Sequence, residues 1–173
     1  MEIKQKKIAV LGFPGSGKTT FSQALAERLK VPFLDLDTYI ETKEHQNISK
    51  IFEEKGENYF REKEKFYLKK ATEISPLILA LGGGTPCFFN NASWIRQNFF
   101  AIYLKIPKNV LYLRLKNDRN HRPLLQNLSD LELQNWIDQH LKIREKMYEQ
   151  ACQFILDSED LSQMLDKICI HLI

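Results

Sequence analysis

The stretch of sequence with the clearest chemical meaning covers residues 12–20. Its glycine, lysine and threonine spacing is that of a phosphate-binding P-loop, in which backbone N–H groups surround a polyphosphate. Lys18 can reach the outer phosphates, and the hydroxyl group of Thr19 is placed to bind Mg²⁺. The candidate nucleotide-binding residues are Gly15, Ser16, Gly17, Lys18, Thr19 and Thr20. A glycine-rich turn that binds nothing is the alternative, and the flanking strand and helix patterns argue against it.

Two carboxylates, Asp35 and Asp37, follow a short apolar run that predicts a second strand. Side chains two apart on a strand point to the same side, and ligands bind at the carboxyl ends of the strands in an open parallel sheet. One carboxylate is therefore expected to hold Mg²⁺ through water, and the other to meet an acceptor hydroxyl group. The alternative is that Asp37 caps the helix that follows it, which would explain one aspartate but not both.

Three further features give weaker evidence of function when the sequence pattern is taken alone. Gly82, Gly83 and Gly84 end a continuous apolar run, and consecutive glycines often mark the close approach of a ligand or of another backbone segment. Arg61 lies just inside a predicted helix, where an isolated arginine is usually a surface charge. Residues 116–125 are polar and basic, as in a lid that closes over a transferring phosphate, although composition alone favours a solvated loop.

The elements that must position these residues alternate regularly along the chain. Apolar runs predict strands near residues 8–11, 31–34, 76–81, 99–104 and 154–156. Helical periodicity predicts helices near residues 18–30, 48–73, 110–115 and 130–150 and from about 159, with Gly56 dividing the second of them. This alternation predicts an α/β doubly wound fold, and 173 residues correspond to one domain.

Composition and charge narrow the class of protein. Apolar residues make up 43% and charged residues 27% of the chain, with a diffuse net charge of +3, as in ordinary globular proteins. No apolar run reaches the roughly 18 residues of a membrane-spanning helix. Three cysteines without metal or redox spacing fit free thiols in a reducing compartment. We therefore expect a cytoplasmic protein that binds neither membranes nor nucleic acids.

Taken together, the motifs resemble those of the shikimate kinase family of small P-loop kinases. The resemblance rests on the order and spacing of several segments: 12–20, 33–37, 40–41, 51–52, 56–57, 60–61, 82–84, 122–125, and Arg144 with Tyr148. It implies a single three-layer domain over residues 1–173, of the nucleoside-monophosphate-kinase type, with a five-stranded sheet in the order 2-3-1-4-5. It also implies substrate-binding helices at about 37–74 and a mobile lid at about 116–128.

The reaction implied by this resemblance is transfer of the γ-phosphoryl group of ATP to the 3-hydroxyl group of shikimate, on the route to chorismate and the aromatic amino acids. A monomer that uses ATP and Mg²⁺ is expected. Lys18 would contact the β- and γ-phosphates, and Asp35 would support the water shell of the metal ion bound by Thr19. Asp37 would meet the ring hydroxyl groups and is the candidate base.

The resemblance also assigns roles to residues for which the sequence pattern alone gave little evidence of function. Arg61 and Arg144 would clamp the substrate carboxylate, because a planar guanidinium group matches it. The glycines at 82–84 would let the backbone approach the ring. Arg122 would swing in with the lid, contact the nucleotide and neutralise charge on the transferring group. The adenine contacts are left unassigned.

Three other functions fit part of the pattern. A P-loop kinase for gluconate or a nucleotide would share Lys18 and Thr19 but need not combine the other residues. A GTPase-like switch would require an Asn-Lys-x-Asp motif, which the sequence lacks. A nucleotide-binding module without catalytic activity is the third, and the retention of every candidate polar group argues against it.

Overall fold

Five parallel strands form one sheet at the centre of the computed structural model, which describes residues 7–119 and 125–172. The strands are β1 (Lys7–Gly12), β2 (Phe33–Asp35), β3 (Leu77–Ala80), β4 (Phe100–Leu104) and β5 (Phe154–Leu156). Their order is β2-β3-β1-β4-β5. This confirms the predicted doubly wound fold and the predicted order of the strands.

Helices separate successive strands. They are α1 (Lys18–Leu29), α2 (Leu36–Glu44), α3 (Ile48–Ala71), α4 (Asn91–Asn98), α5 (Lys108–Asn117), α6 (Asp130–Ala151) and α7 (Leu161–Leu172). The sequence pattern did not predict α4, because its eight residues are fewer than the window of about 11 residues over which helical periodicity is recognised. Among the described helices, none is long and apolar enough to cross a membrane.

Strand β1 lies in the middle of the sheet, paired with β3 on one side and β4 on the other. Its four apolar residues, 8–11, are essentially inaccessible to solvent, as are the four residues of β3. Uninterrupted apolar runs of this kind are typical of parallel strands that helices cover on both faces. The P-loop therefore starts from a central strand whose apolar residues are fully buried.

One predicted boundary differs in the structure, and one predicted interruption is found where it was expected. Strand β2 is shorter than predicted and includes Asp35 as its last residue. Helix α3 is kinked at Gly56, which has a non-helical φ of 80° and ψ of 169°, at the position where the sequence predicted a division. The left-handed φ explains why the interruption falls on a glycine.

Candidate active site

The P-loop leaves β1 and enters α1 through two glycines with left-handed backbone angles. Gly15 and Gly17 have φ of 83° and 85°, which side chains rarely allow. Lys18 donates a hydrogen bond from Nζ to the carbonyl oxygen of Phe13, at 3.1 Å. Ser16 is buried, and its hydroxyl group has no hydrogen-bond partner among the described residues. The loop thus combines a cation with the amino-terminal end of α1, which favours anionic ligands.

Thr19, in the first turn of α1, meets Asp35, the last residue of β2. The Thr19 hydroxyl group donates to Oδ2 of Asp35 at 2.9 Å. The other carboxylate oxygen, Oδ1, accepts from the backbone N–H groups of Asp37 and Thr38 and so caps α2. The expected alternative, a helix cap at Asp37, is therefore wrong, since helix α2 begins one residue before Asp37. Capping fixes one oxygen of Asp35 and directs the other toward Thr19.

Asp37 lies in the first turn of α2 and faces the glycine segment. A Cβ atom added at Gly82 would lie 2.8 Å from Oδ1 of Asp37, so only glycine leaves room for this carboxylate. Burial raises the pKa of Asp37 to about 7, assisted by the negative charges of Glu64 and Asp35 and opposed by Lys18. The carboxyl group is thus poised to exchange a proton near neutral pH.

Arg61 is held by two carboxylates of its own helix. Its Nη1 donates to Glu64 at 2.9 Å, and its Nε and Nη2 donate to Glu57 at 3.1 Å. The guanidinium group also lies over the ring of Phe88, 3.9 Å from the centroid. The residue that pattern alone assigned to the surface is therefore fixed in position by charge and by stacking.

Glu64 is an essential part of this arrangement that the sequence analysis did not identify. Its side chain is 1% exposed, and besides Arg61 it accepts a 2.6 Å hydrogen bond from the hydroxyl group of Thr85. Thr85 is in turn held by Asn91, whose amide donates to its carbonyl oxygen at 2.9 Å. A glutamate three residues after Arg61 is the only signal in the sequence, and α3 contains several glutamates at similar spacings.

The three glycines after β3 have ordinary backbone angles but little space around them. A Cβ atom at Gly83 would lie 2.8 Å from Cδ of Pro14, and one at Gly84 would lie 3.0 Å from the guanidinium nitrogens of Arg61. The Tyr148 hydroxyl group donates to the Gly83 carbonyl oxygen at 2.6 Å. Burial raises the pKa of Tyr148 and keeps it protonated as a donor. Close packing rather than an unusual φ therefore requires glycine here.

Arg144 projects from α6 and is held by aromatic rings. Its guanidinium carbon lies 5.7 Å from the ring centroid of Phe13 and 5.9 Å from that of Trp136. The two rings are 5.6 Å apart. Among the ion pairs of the described residues, none involves Arg144, whereas Arg61 forms two. Arg144 therefore keeps a positive charge that no carboxylate within residues 7–119 and 125–172 compensates.

These residues line two adjoining cavities. The first has a volume of about 390 Å³, and its walls include Asp37, Arg61, Glu64, Gly84, Trp136 and Arg144. The second has a volume of about 350 Å³, and its walls include Gly15, Gly17, Lys18, Thr19, Thr20 and Asp35. Pro14, Asp37, Gly82 and Gly83 line both. A ligand in one cavity would therefore lie next to a ligand in the other.

The structure brings together nearly all the predicted site residues. All of them within the described range line one of the two cavities, apart from the buried Ser16. Arg122, predicted to act from the lid, lies outside the described residues. Trp136, Glu64 and Pro14 join the site without having been predicted to do so.

Two arginines lie just before the predicted lid and within its first residues. Arg114, on α5, donates from Nη1 to the carbonyl oxygen of Gly15 at 3.3 Å and so contacts the P-loop. Arg119 forms an ion pair with Asp130 at 3.0 Å, at the start of α6. Arg114 therefore lies against the P-loop, and Arg119 lies at the junction with α6.

Comparison with known proteins identifies similar chains. A family model described as shikimate kinase matches residues 14–173. A curated shikimate kinase of Bacteroides thetaiotaomicron is 38% identical over 155 residues, which are 90% of this chain and 88% of that protein. A solved shikimate kinase structure from the same species superposes with a TM-score of 0.91 at 34% identity, covering 97% of this chain and 98% of that one. A structure of shikimate kinase from Acinetobacter baumannii, solved in complex with shikimate, superposes with a TM-score of 0.87 at 32% identity. The match covers 97% of this chain and 93% of that one.

Proposed function

The chain belongs to the shikimate kinase family, and we propose that it transfers the γ-phosphoryl group of ATP to the 3-hydroxyl group of shikimate. One observation carries the proposal: Asp37, Gly82 and Gly83 line both the cavity that contains Lys18 and the cavity that contains Arg61 and Arg144. A polyphosphate in the first and a hydroxylated ring acid in the second would meet at Asp37.

The nucleotide occupies the cavity around the P-loop in this proposal. Lys18 contacts the β- and γ-phosphates, and the backbone N–H groups of residues 15–19 surround them. The donor set fits Mg²⁺, since a hydroxyl oxygen of Thr19 and a carboxylate oxygen of Asp35 lie 2.9 Å apart. When bound, Mg²⁺ neutralises charge on the phosphate oxygens.

Shikimate occupies the other cavity, with its carboxylate toward the two arginines. Guanidinium groups pair with carboxylates through two parallel hydrogen bonds. Because Glu57 and Glu64 already compensate Arg61, Arg144 contributes most of the uncompensated positive charge. Gly84 leaves room beside Arg61, and the ring of Trp136 forms part of the wall.

Asp37 acts on the hydroxyl group that accepts the phosphoryl group. Its carboxylate orients the hydroxyl oxygen toward the γ-phosphorus and accepts the hydroxyl proton as the new O–P bond forms. The bond between the γ-phosphorus and the bridging oxygen breaks, and ADP leaves with that electron pair. A pKa of about 7 suits a base that works near neutral pH. Most of the rate enhancement comes from alignment and from neutralisation of charge.

We further propose that Arg122 adds positive charge from the lid, and that the enzyme works as a monomer in the cytoplasm. The three cysteines are free thiols, which supports a reducing compartment. Light scattering on purified protein, with and without substrates, measures the oligomeric state directly.

A coupled assay of ADP release tests the function. Shikimate should support turnover with ATP and Mg²⁺, and the ³¹P spectrum of the product should show one phosphate ester at the 3-hydroxyl group. Gluconate and nucleoside monophosphates serve as rival acceptors in the same assay. Faster turnover with either rival, or none with shikimate, would contradict the proposal. Calorimetry with shikimate, with and without ADP and Mg²⁺, then measures binding independently of turnover.

A further inference from the structure

A partly buried carboxylate away from both cavities joins α2 to α3. Glu44 is the last residue of α2, and its side chain is 7% exposed. It accepts hydrogen bonds from the hydroxyl groups of Tyr59 at 2.6 Å and Tyr67 at 2.8 Å. The Nζ atom of Lys63 lies 2.9 Å from its Oε1. Tyr59, Lys63 and Tyr67 follow one another at intervals of four residues on α3, so they lie on one face of that helix.

Two features of this arrangement oppose an ionised carboxylate, and the three donors overcome them. A negative charge at the carboxyl end of a helix opposes the helix dipole, and burial of a carboxylate costs hydration energy. Burial opposes ionisation of Glu44, but the bonds from Tyr59, Lys63 and Tyr67 outweigh it and lower its pKa to about 2. The group is therefore ionised at every working pH, and three donors are committed to it.

The cluster of Glu44, Tyr59, Lys63 and Tyr67 joins two helices that also line the acceptor cavity, which is the cavity next to Arg61 and Arg144. Helix α2 carries Asp37 in its first turn, and Asp35 fixes that end through its cap. Glu44 fixes the opposite end of the same nine-residue helix. On α3, Arg61 and Glu64 lie within the stretch that supplies the three partners, beyond the interruption at Gly56. The cluster thus ties the helix bearing Asp37 to the part of α3 that bears the carboxylate clamp.

We propose that Glu44 is a positioning residue for the acceptor substrate: through Tyr59, Lys63 and Tyr67 it fixes the distance between Asp37 and Arg61. The inference rests on the proposed function, because it assumes that shikimate bridges these two residues. The P-loop belongs to β1 and α1, which make no contact with the cluster among its described bonds. Loss of the cluster should therefore affect the acceptor and not the nucleotide.

The principal test is Glu44→Gln, which keeps the size of the side chain and removes its charge. We expect kcat/KM for shikimate to fall by about 10- to 100-fold, mainly through KM, because a displacement of about 1 Å in a reacting group has effects of this size. The Kd of ADP, measured by calorimetry without shikimate, should stay at the wild-type value. Tyr59→Phe and Tyr67→Phe each remove one hydrogen bond and should give the same pattern more weakly.

The matched control is Glu73→Gln, which removes an exposed ion pair with Lys70 just beyond the end of α3. Its kinetic constants should equal those of the wild type. An unchanged shikimate KM in folded Glu44→Gln and Tyr67→Phe would overturn the inference, whatever the loss in melting temperature. Equal weakening of ADP and shikimate would also overturn it, since that indicates general destabilisation. If Glu44→Gln does not fold, the shikimate KM and the Kd of ADP in Tyr59→Phe and Tyr67→Phe test the inference in its place. A wild-type protein inactive on shikimate would instead contradict the proposed function.

Discussion

The cavity proposed for the nucleotide and the cavity proposed for the acceptor are built in opposite ways. The nucleotide cavity comes mostly from one continuous stretch, residues 14–20, between the central strand and its helix. The acceptor cavity combines residues from α2, α3, the glycine segment and α6. Its parts are held by long-range contacts, such as the hydrogen bond from Tyr148 to Gly83 across 65 residues of sequence. Errors in packing should therefore affect acceptor binding before they affect nucleotide binding.

Glycine shows the same difference. Gly15 and Gly17 in the P-loop have left-handed angles, and a Cβ atom at Gly17 would meet only Arg114, at 3.7 Å. Gly82 and Gly83 have ordinary angles, but each would place a Cβ atom 2.8 Å from a neighbour. The glycines after β3 are needed for space alone, whereas those of the P-loop are needed for backbone conformation, and Gly15 for space as well, since a Cβ atom there would lie 3.1 Å from Cγ of Leu115.

The largest effect should come from the nucleotide cavity. Lys18→Ala removes the cation that faces the transferring phosphate and should lower kcat by roughly 10³-fold, as loss of one charge-stabilising group does. The shikimate Kd, measured by calorimetry without nucleotide, should stay close to the wild-type value. A comparable loss in shikimate affinity would show that the two cavities are not independent.

Asp37→Asn tests the point where the cavities meet. Without the base, kcat should fall by about 10²-fold. In the wild type, kcat/KM for shikimate should rise with pH up to about 7, because the carboxylate must be ionised, and the variant should lack this rise. Turnover close to the wild-type rate would remove Asp37 from the mechanism.

Asp37→Asn should lower activity but raise the stability of the fold at high pH. The folded-state pKa of Asp37 is raised from 3.8 to about 7, so this group favours folding below pH 4 and loses that contribution as the pH rises to about 7. At pH 8 the variant should therefore be more stable than the wild type, by at most about 4 kcal/mol. Urea unfolding at pH 4 and at pH 8 measures the difference. Equal pH dependence in both proteins would contradict the raised pKa.

Substitution of the two arginines of the acceptor cavity should have different effects on substrate binding and on stability. Arg144→Ala should raise the shikimate KM by roughly 30-fold, the cost of a lost charged hydrogen bond, with little change in melting temperature. Arg61→Ala leaves the buried carboxylate of Glu64 without its cation and should destabilise the fold by about 3–5 kcal/mol. Steady-state kinetics and thermal unfolding of both variants separate the effects. An unchanged shikimate KM in Arg144→Ala would exclude it from the carboxylate clamp.

The smallest effects should come from the glycines, as a direct comparison of the two cavities. Gly17→Ala introduces about 1–2 kcal/mol of backbone strain and should weaken ADP alone. Gly84→Ala places a methyl group 3.0 Å from the Arg61 guanidinium nitrogens and should weaken shikimate alone, by several-fold. Calorimetry with each ligand measures both. A reversed pattern would contradict the assignment of the cavities.

The sequence by itself determined the parts of the protein that depend on short-range spacing. The P-loop, the pair Asp35 and Asp37, and the division of α3 at Gly56 all follow from residue types at fixed separations. The central strands follow from apolar runs that are buried on both faces. Local backbone geometry fixes these features, so a pattern is sufficient to find them. The resemblance to shikimate kinases added Arg144 and the sheet order.

Only the tertiary structure decided which side chains meet. It assigned the helix cap to Asp35, gave Arg61 its partner Glu64, and placed Trp136 against Phe13 and Arg144. These contacts depend on the order of the strands and on how the helices pack against them. Many glutamates and aromatic residues have equivalent local spacing, and burial next to a particular partner is what selects one. That selection is a long-range property, which local patterns do not contain.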